Sequence, residues 1–217
     1  MIFVNFKAYA EAIGKKGLKL AKLCERVSKE SGEEIIISPQ TPDLSLISRE
    51  VSIPVYSQHI DPVEIGSRTG YTPLEAVEPY VSGALVNHSE QRMNLADIDY
   101  LVKKCREHGL KSIVCTNNIE VSMASASLSP DYIAIEPPEL IGGDISVTTA
   151  SPEIVEDAVN RINEINPEVA VLCGAGVKTG GDVKKALELG AEGVLLASGV
   201  VKAEDPEEAL RNLVNGV

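Results

Sequence analysis

Eight short apolar runs recur along the 217 residues, each parted from the next by enough chain for one helix: Ile2 to Phe6, Glu34 to Ser38, Val55 to Gln58, Ala84 to Asn87, Ser112 to Cys115, Tyr132 to Glu136, Val169 to Cys173 and Gly193 to Ala197. Tryptophan is absent and aromatic residues are only 4% of the chain, so any core is built from Val, Ile, Leu and Ala, which suits parallel strands buried on both faces. The intervening segments are amphipathic or helix-forming, most clearly Leu18 to Lys29, Ile98 to His108, Pro152 to Ile165, Gly181 to Leu189 and Pro206 to Val214, with shorter pieces around residues 43–50 and 73–80. Alternating strand and helix predicts parallel pairing with right-handed crossovers. Such units fill the chain without a spare linker, so the expected class is α/β and the expected architecture a single-domain (βα)8 barrel of eight parallel strands over residues 1–217. An open doubly wound sheet has the same rhythm. Against it, the first run is followed by Lys7-Ala8-Tyr9-Ala10 rather than a glycine-rich dinucleotide turn, and nothing invites a nicotinamide cofactor.

Charge narrows the partners. The formal net charge of -12 argues against binding to nucleic acid or to an anionic membrane. The same charge repels an anionic substrate, so any phosphate site has to be made locally positive by Lys side chains and backbone N–H groups. Cys24, Cys105, Cys115 and Cys173 lie far apart with no C-x-x-C pair, which suggests buried reduced thiols rather than zinc or redox chemistry. No His and carboxylate cluster has metal-ligand spacing, and no metal or cofactor is expected. Met1-Ile2-Phe3-Val4-Asn5 has no basic stretch leading into a long apolar one, no run reaches membrane-spanning length, and a cytoplasmic location is the default expectation.

In a barrel of this kind the site is built at the C-terminal ends of the strands, which puts weight on polar residues there. Four stand out: Asn5 and Lys7 after the first run, His88 after the fourth and Glu136 closing the sixth. Glu136 is followed by Pro137-Pro138, whose missing N–H groups end the strand ladder and leave the carboxylate at the rim. The segment through Glu139-Leu140-Ile141-Gly142-Gly143-Asp144 joins a stiff piece to a flexible one, the makeup of a hinged lid or of a merely rigid loop. His88 lies where the chain leaves a strand and is expected to begin a helix capped by Ser89 or Asn87, a position that disfavours the imidazolium. Lys7 can neutralise a phosphate or a developing oxyanion, or can simply lie along the surface. Cys173-Gly174-Ala175-Gly176-Val177 and Ala197-Ser198-Gly199-Val200, after the seventh and eighth runs, are small enough for backbone N–H groups to approach an anion.

With these residues assembled, the chain resembles the triosephosphate isomerase family over nearly its whole length, and its archaeal short branch in particular. Val4-Asn5-Phe6-Lys7 is similar to the family's N-x-K opening, Asn87-His88-Ser89-Glu90 to its H-S-E element, and Glu136-Pro137-Pro138-Glu139-Leu140-Ile141-Gly142 to the archaeal lid. The resemblance implies a TIM barrel that isomerises triose phosphates without a cofactor. It implies Glu136 as base, His88 as neutral electrophile, Lys7 as electrostatic stabiliser and Asn5 as a substrate-positioning donor. It further implies phosphate contacts near Ile141, Gly143, Gly174, Gly176, Ala197 and Ser198, an ordering role for Glu90, and a structural ion pair for Arg92. Gln58 to Gly70, with Thr69 near its tip, resembles the loop that inserts into a partner subunit, which implies a homodimer or homotetramer. The chain departs from the family in having Gly142-Gly143-Asp144 where G-T-G is usual, and Gln91 where an Arg follows H-S-E. Two rivals remain: another phosphate-binding barrel enzyme such as an epimerase or synthase, and a phosphate binder without catalysis.

Overall fold

The computed structural model describes residues 1–137 and 146–217. All eight runs become strands: β1 Ile2–Asn5, β2 Ile35–Ser38, β3 Tyr56–Ser57, β4 Gly83–Val86, β5 Lys111–Thr116, β6 Tyr132–Ile135, β7 Ala170–Cys173 and β8 Gly193–Leu196. Helix α1 (Lys15–Ser31) follows β1, α2 (Leu44–Ile47) follows β2, α3 (Leu74–Val77) follows β3 and α4 (Leu95–Glu107) follows β4. Then come α5 (Ile119–Ala126) after β5, α6 (Val147–Ala150) and α7 (Pro152–Ile165) after β6, α8 (Gly180–Glu188) after β7, and α9 (Ser198–Val201) with α10 (Pro206–Val214) after β8. Every pairing is parallel, in the order β2-β1-β8-β7-β6-β5-β4-β3. The two ends of that order meet: Ile37 and Val55 form a parallel bridge, with the Ile37 N–H donating to Pro54 O at 3.1 Å. A doubly wound sheet would hold its edges apart, so the ring is a barrel, closed thinly between β2 and β3.

Strand side chains alternate between faces, and the alternation divides the core in two. Phe3, Ile36, Tyr56, Leu85, Ile113, Cys115, Ala134, Leu172 and Leu195 form one cluster drawn from all eight strands, the packed barrel interior. Their neighbours, such as Ile2, Val4, Ile35, Val86, Val114 and Val194, pack in the outer shell beneath the helices. Phe3 and Tyr56 meet edge to face, with ring centroids 5.4 Å apart and planes at 83°. Room for the tyrosine comes from Gly83, where a Cβ would stand 2.4 Å from Tyr56 Cε2. Two residues beyond the inward Phe3, Ala134, Leu172 and Leu195 come Asn5, Glu136, Gly174 and Ala197, so the same periodicity sets the rim.

Local signals explain the helix ends. Asn94 caps α4 by accepting from Asp97 N–H at 3.0 Å, Thr179 and Asp182 form a reciprocal capping box at α8, and Asp205 followed by Pro206 opens α10. Helix α5 stands outside the segments singled out from periodicity. Its buried positions are Ser122, Ser125 and Ala126, too small and polar to write an apolar stripe. Among the described residues no helix is long and apolar enough to cross a membrane.

Candidate active site

A cavity at the C-terminal mouth of the barrel is lined by Lys7, His88 and Glu136 together with Ala175 to Lys178 and Ala197 to Gly199. Glu136 is held by the last rung of the ladder, its N–H donating to Thr116 O at 2.8 Å. Only 4% of it is exposed, and its Oε2 has no hydrogen-bond partner among the described residues. Leaving a buried acceptor unmatched costs about 1–3 kcal/mol, so this carboxylate lacks the partners that a structural one has. The other oxygen, Oε1, lies 3.7 Å from His88 Nε2. A Cβ on Gly174 would fall 2.6 Å from Glu136 Cγ. Gly174 therefore sits against Glu136 rather than in the cavity lining, and its smallness makes room for the carboxylate.

The backbone at His88 is not a helix start. The Gln91 N–H bonds to His88 O at 2.8 Å in a single tight turn, and α4 begins only at Leu95. Neither Ser89 nor Asn87 caps it. Asn87 instead adopts a left-handed φ of 60°, which Asn tolerates better than most residues. Its Nδ2 donates to Cys115 O and its Oδ1 accepts from Met93 N–H, both at 2.8 Å. Arg92 also supports this turn, donating to the carbonyls of Asn87 at 2.8 Å and Cys115 at 3.2 Å. The expected ion pair of Arg92 is not found among the described residues; buried carbonyls take its place.

Neutrality of His88 thus has a different cause from the one anticipated. Burial lowers its pKa from the ordinary 6.5; the Glu136 carboxylate opposes this and the Lys7 ammonium reinforces it. The Glu90 N–H donates to His88 Nδ1 at 3.2 Å, so Nδ1 is an acceptor and the proton sits on Nε2, facing Glu136 and the cavity. Because the folded pKa lies below the unfolded one, the unfolded chain takes up more protons as pH falls below about 6.5. The contribution of His88 to stability is complete above that pH and is lost as pH falls through its lowered folded value. Imidazole nitrogen NMR at pH 6.5 is expected to show His88 as the neutral Nε2–H tautomer; two protonated ring nitrogens at that pH would exclude it.

Lys7 Nζ lies 2.9 Å from Glu90 Oε1, and Glu90 Oε2 is 3.6 Å from His88 Nδ1, so Glu90 touches both groups from the solvent side. Lys7 has a left-handed φ of 46°, which for a residue with a Cβ costs about 1–2 kcal/mol. Asn5 is buried at the end of β1. Its Oδ1 accepts from the Lys7 N–H at 2.9 Å, which makes it a support for Lys7. Cys115, beside Glu136, is held as a neutral thiol, pushed well above its usual range by burial first and the carboxylate second. All four cysteines are buried and unbridged.

After β7, Ala175 (φ 69°) and Gly176 (φ 72°) make two consecutive left-handed steps, a tight turn of the kind that can present backbone N–H groups to an anion. Gly176, Ala197 and Ser198 all line the cavity. Ile141 and Gly143, with the rest of the expected lid beyond Pro137 to Asp144, lie outside the described residues. The expected interface loop runs over the surface, its ends tied by Asp61 N–H to Thr72 O at 2.9 Å and Thr72 N–H to Asp61 Oδ2 at 2.6 Å. Asn87 was expected only as a helix cap and Gln58 only as the start of the interface loop, and Gln40 had no expected role; the three instead bond to the backbone around Lys7 and His88. Only the residue type of Asn87, apt for positive φ, was available as a signal.

The site so assembled can be compared with known proteins. The family model described as triosephosphate isomerase matches residues 1–216. A triosephosphate isomerase of Methanocaldococcus jannaschii is 57% identical over 215 residues, covering 99% of this chain and 98% of the relative. Those of Methanothermus fervidus (56%, covering 99% and 97%) and Archaeoglobus fulgidus (54%, covering 99% and 96%) are similar to the same extent. A parallel barrel with a buried carboxylate, an imidazole and an ammonium at one mouth, matched by that model from end to end, belongs to the triosephosphate isomerase family.

Proposed function

We infer that this chain interconverts D-glyceraldehyde 3-phosphate and dihydroxyacetone phosphate, a step of glycolysis and gluconeogenesis, by moving a proton between adjacent carbons through an enediolate. The observation that carries the reading is the 3.7 Å approach of Glu136 Oε1 to the protonated Nε2 face of a neutral His88, in a cavity that also takes in Lys7. Glu136 removes the proton from the carbon beside the carbonyl. The His88 Nε2–H and the Lys7 ammonium stabilise the charge that develops on oxygen, and proton return to the neighbouring carbon completes the isomerisation. Positioned general acid–base catalysis is worth about 10²–10⁴ in rate and preorganised charge stabilisation adds a comparable factor, so both parts are needed. The backbone near Gly174, Gly176, Ala197 and Ser198, with Ile141 and Gly143 from the lid, holds the phosphate, Asn5 positions the substrate, and Glu90 orders the charged groups. Lid closure protects an enediolate that could otherwise expel phosphate.

Protein treated with EDTA is expected to turn over glyceraldehyde 3-phosphate in a coupled assay. No turnover would leave only a phosphate binder, and turnover that returns only with added metal would favour another barrel enzyme. We also read the chain as a homodimer or homotetramer joined through the Thr69 loop. Ile65 within the loop, 71% exposed, and Tyr71 just after it, 54% exposed, support this, because they give that surface an apolar character. A monomeric mass by sedimentation would remove that reading. A cytoplasmic location is supported by four unbridged thiols, and recovery of the protein from a secreted fraction would count against it.

A further inference from the structure

Lys7 needs outside help to stay where it is. A lysine relieved of constraint returns to negative φ, and rotation about that bond swings the ammonium away from the cavity. Yet the N–H and C=O of Lys7 are not held by strand partners. The N–H goes to the Asn5 side chain at 2.9 Å, and the carbonyl accepts two amide hydrogens, from Gln40 Nε2 at 2.8 Å and from Gln58 Nε2 at 3.0 Å. The second hydrogen of Gln58 goes to Ser38 O at 2.9 Å, and that of Gln40 to Gln58 Oε1 at 3.3 Å. All four amide hydrogens of the two side chains are therefore spent in one small network. Gln40 follows β2 and Gln58 follows β3, so this network spans the seam where the ring is thinnest. Neither glutamine lines the cavity.

We propose that Gln40, with Gln58 beside it, is a positioning residue for Lys7: its amide fixes the left-handed turn that aims the ammonium into the cavity and ties that aim to closure of the barrel between β2 and β3. The proposal rests on Lys7 acting in the reaction inferred above. A carbonyl that accepts from two side chains placed after different strands has its orientation fixed, and a misplacement of about 1 Å in a catalytic group is enough to cost up to a hundredfold in rate.

The test is a double-mutant cycle in the isomerase assay, with thermal unfolding followed in parallel. Gln40→Met keeps the length of the side chain and removes its donors. It is expected to lower kcat/KM about 30-fold, within the range that such misplacement produces. In a Lys7→Ala background the same change is expected to lower it by less than about twofold, because the group it positions is already gone. Equal proportional losses in both backgrounds would overturn the proposal, since the glutamine would then act on the fold or on another group. Full activity of Gln40→Met would overturn it as well. If Gln40→Met does not fold, Gln40→Asn, whose amide stops one methylene short of the carbonyl, is judged by the same two comparisons. A Lys7→Ala variant as active as the wild type would instead refute the role of Lys7 itself, which keeps the two failures apart.

Discussion

Replacing Glu136 by Asp is expected to lower kcat by about a thousandfold while KM moves by less than about threefold, within the range that positioned acid–base groups supply. The substitution keeps a carboxylate and its charge but withdraws it by one methylene. In this site the withdrawal is not easily made good. Glu136 is pinned by the bond from its N–H to Thr116 O, and its Cγ packs against the Cα of Gly174, so the backbone has little freedom to follow the shortened side chain. The carboxylate would be drawn back toward its own backbone, lengthening the path of proton transfer. In the proposed reaction substrate affinity comes from the backbone near Gly176 and Ala197 and from Lys7, which the change leaves alone. Activity equal to the wild type would refute the assignment of Glu136 as base. A large rise in KM at unchanged kcat would make it a binding residue instead.

Lys7→Ala is expected to damage both parameters, lowering kcat/KM by at least about a thousandfold, because it removes a charge from ground state and transition state together. Among the described residues Lys7 and Lys178 are the cations lining the cavity, and in a chain of net charge -12 the loss of one weighs heavily on an anionic substrate. Glu90, now without its partner at 2.9 Å, would add a repulsive charge at the same mouth. The fold is expected to survive, since the Lys7 side chain belongs to no core cluster, and circular dichroism should be unchanged. Unchanged KM and kcat would remove Lys7 from the reaction.

The barrel was legible because strands buried on both faces leave continuous apolar runs, and each of the eight runs matched a strand to within a few residues. Glu136 was legible because a carboxylate at the end of such a run, stopped by two prolines, has one direction to point. Helix α5 was not, because its buried face of Ser122, Ser125 and Ala126 carries no apolar signature. The neutral state of His88 was anticipated, but its cause was assigned to a helix terminus that does not exist; burial supplies it.

Residue order alone therefore determined the strand–helix alternation, the rim positions and the chemical groups they carry, since all of these follow from periodicity and residue type within a few neighbours. Tertiary structure alone decided how those groups are held. Gln40, Gln58 and Asn87 bond to backbone atoms of Lys7 and Cys115 brought near by barrel closure. A glutamine in a loop looks the same whether it meets water or a strained carbonyl, and which of the two it meets is a property of the closed ring.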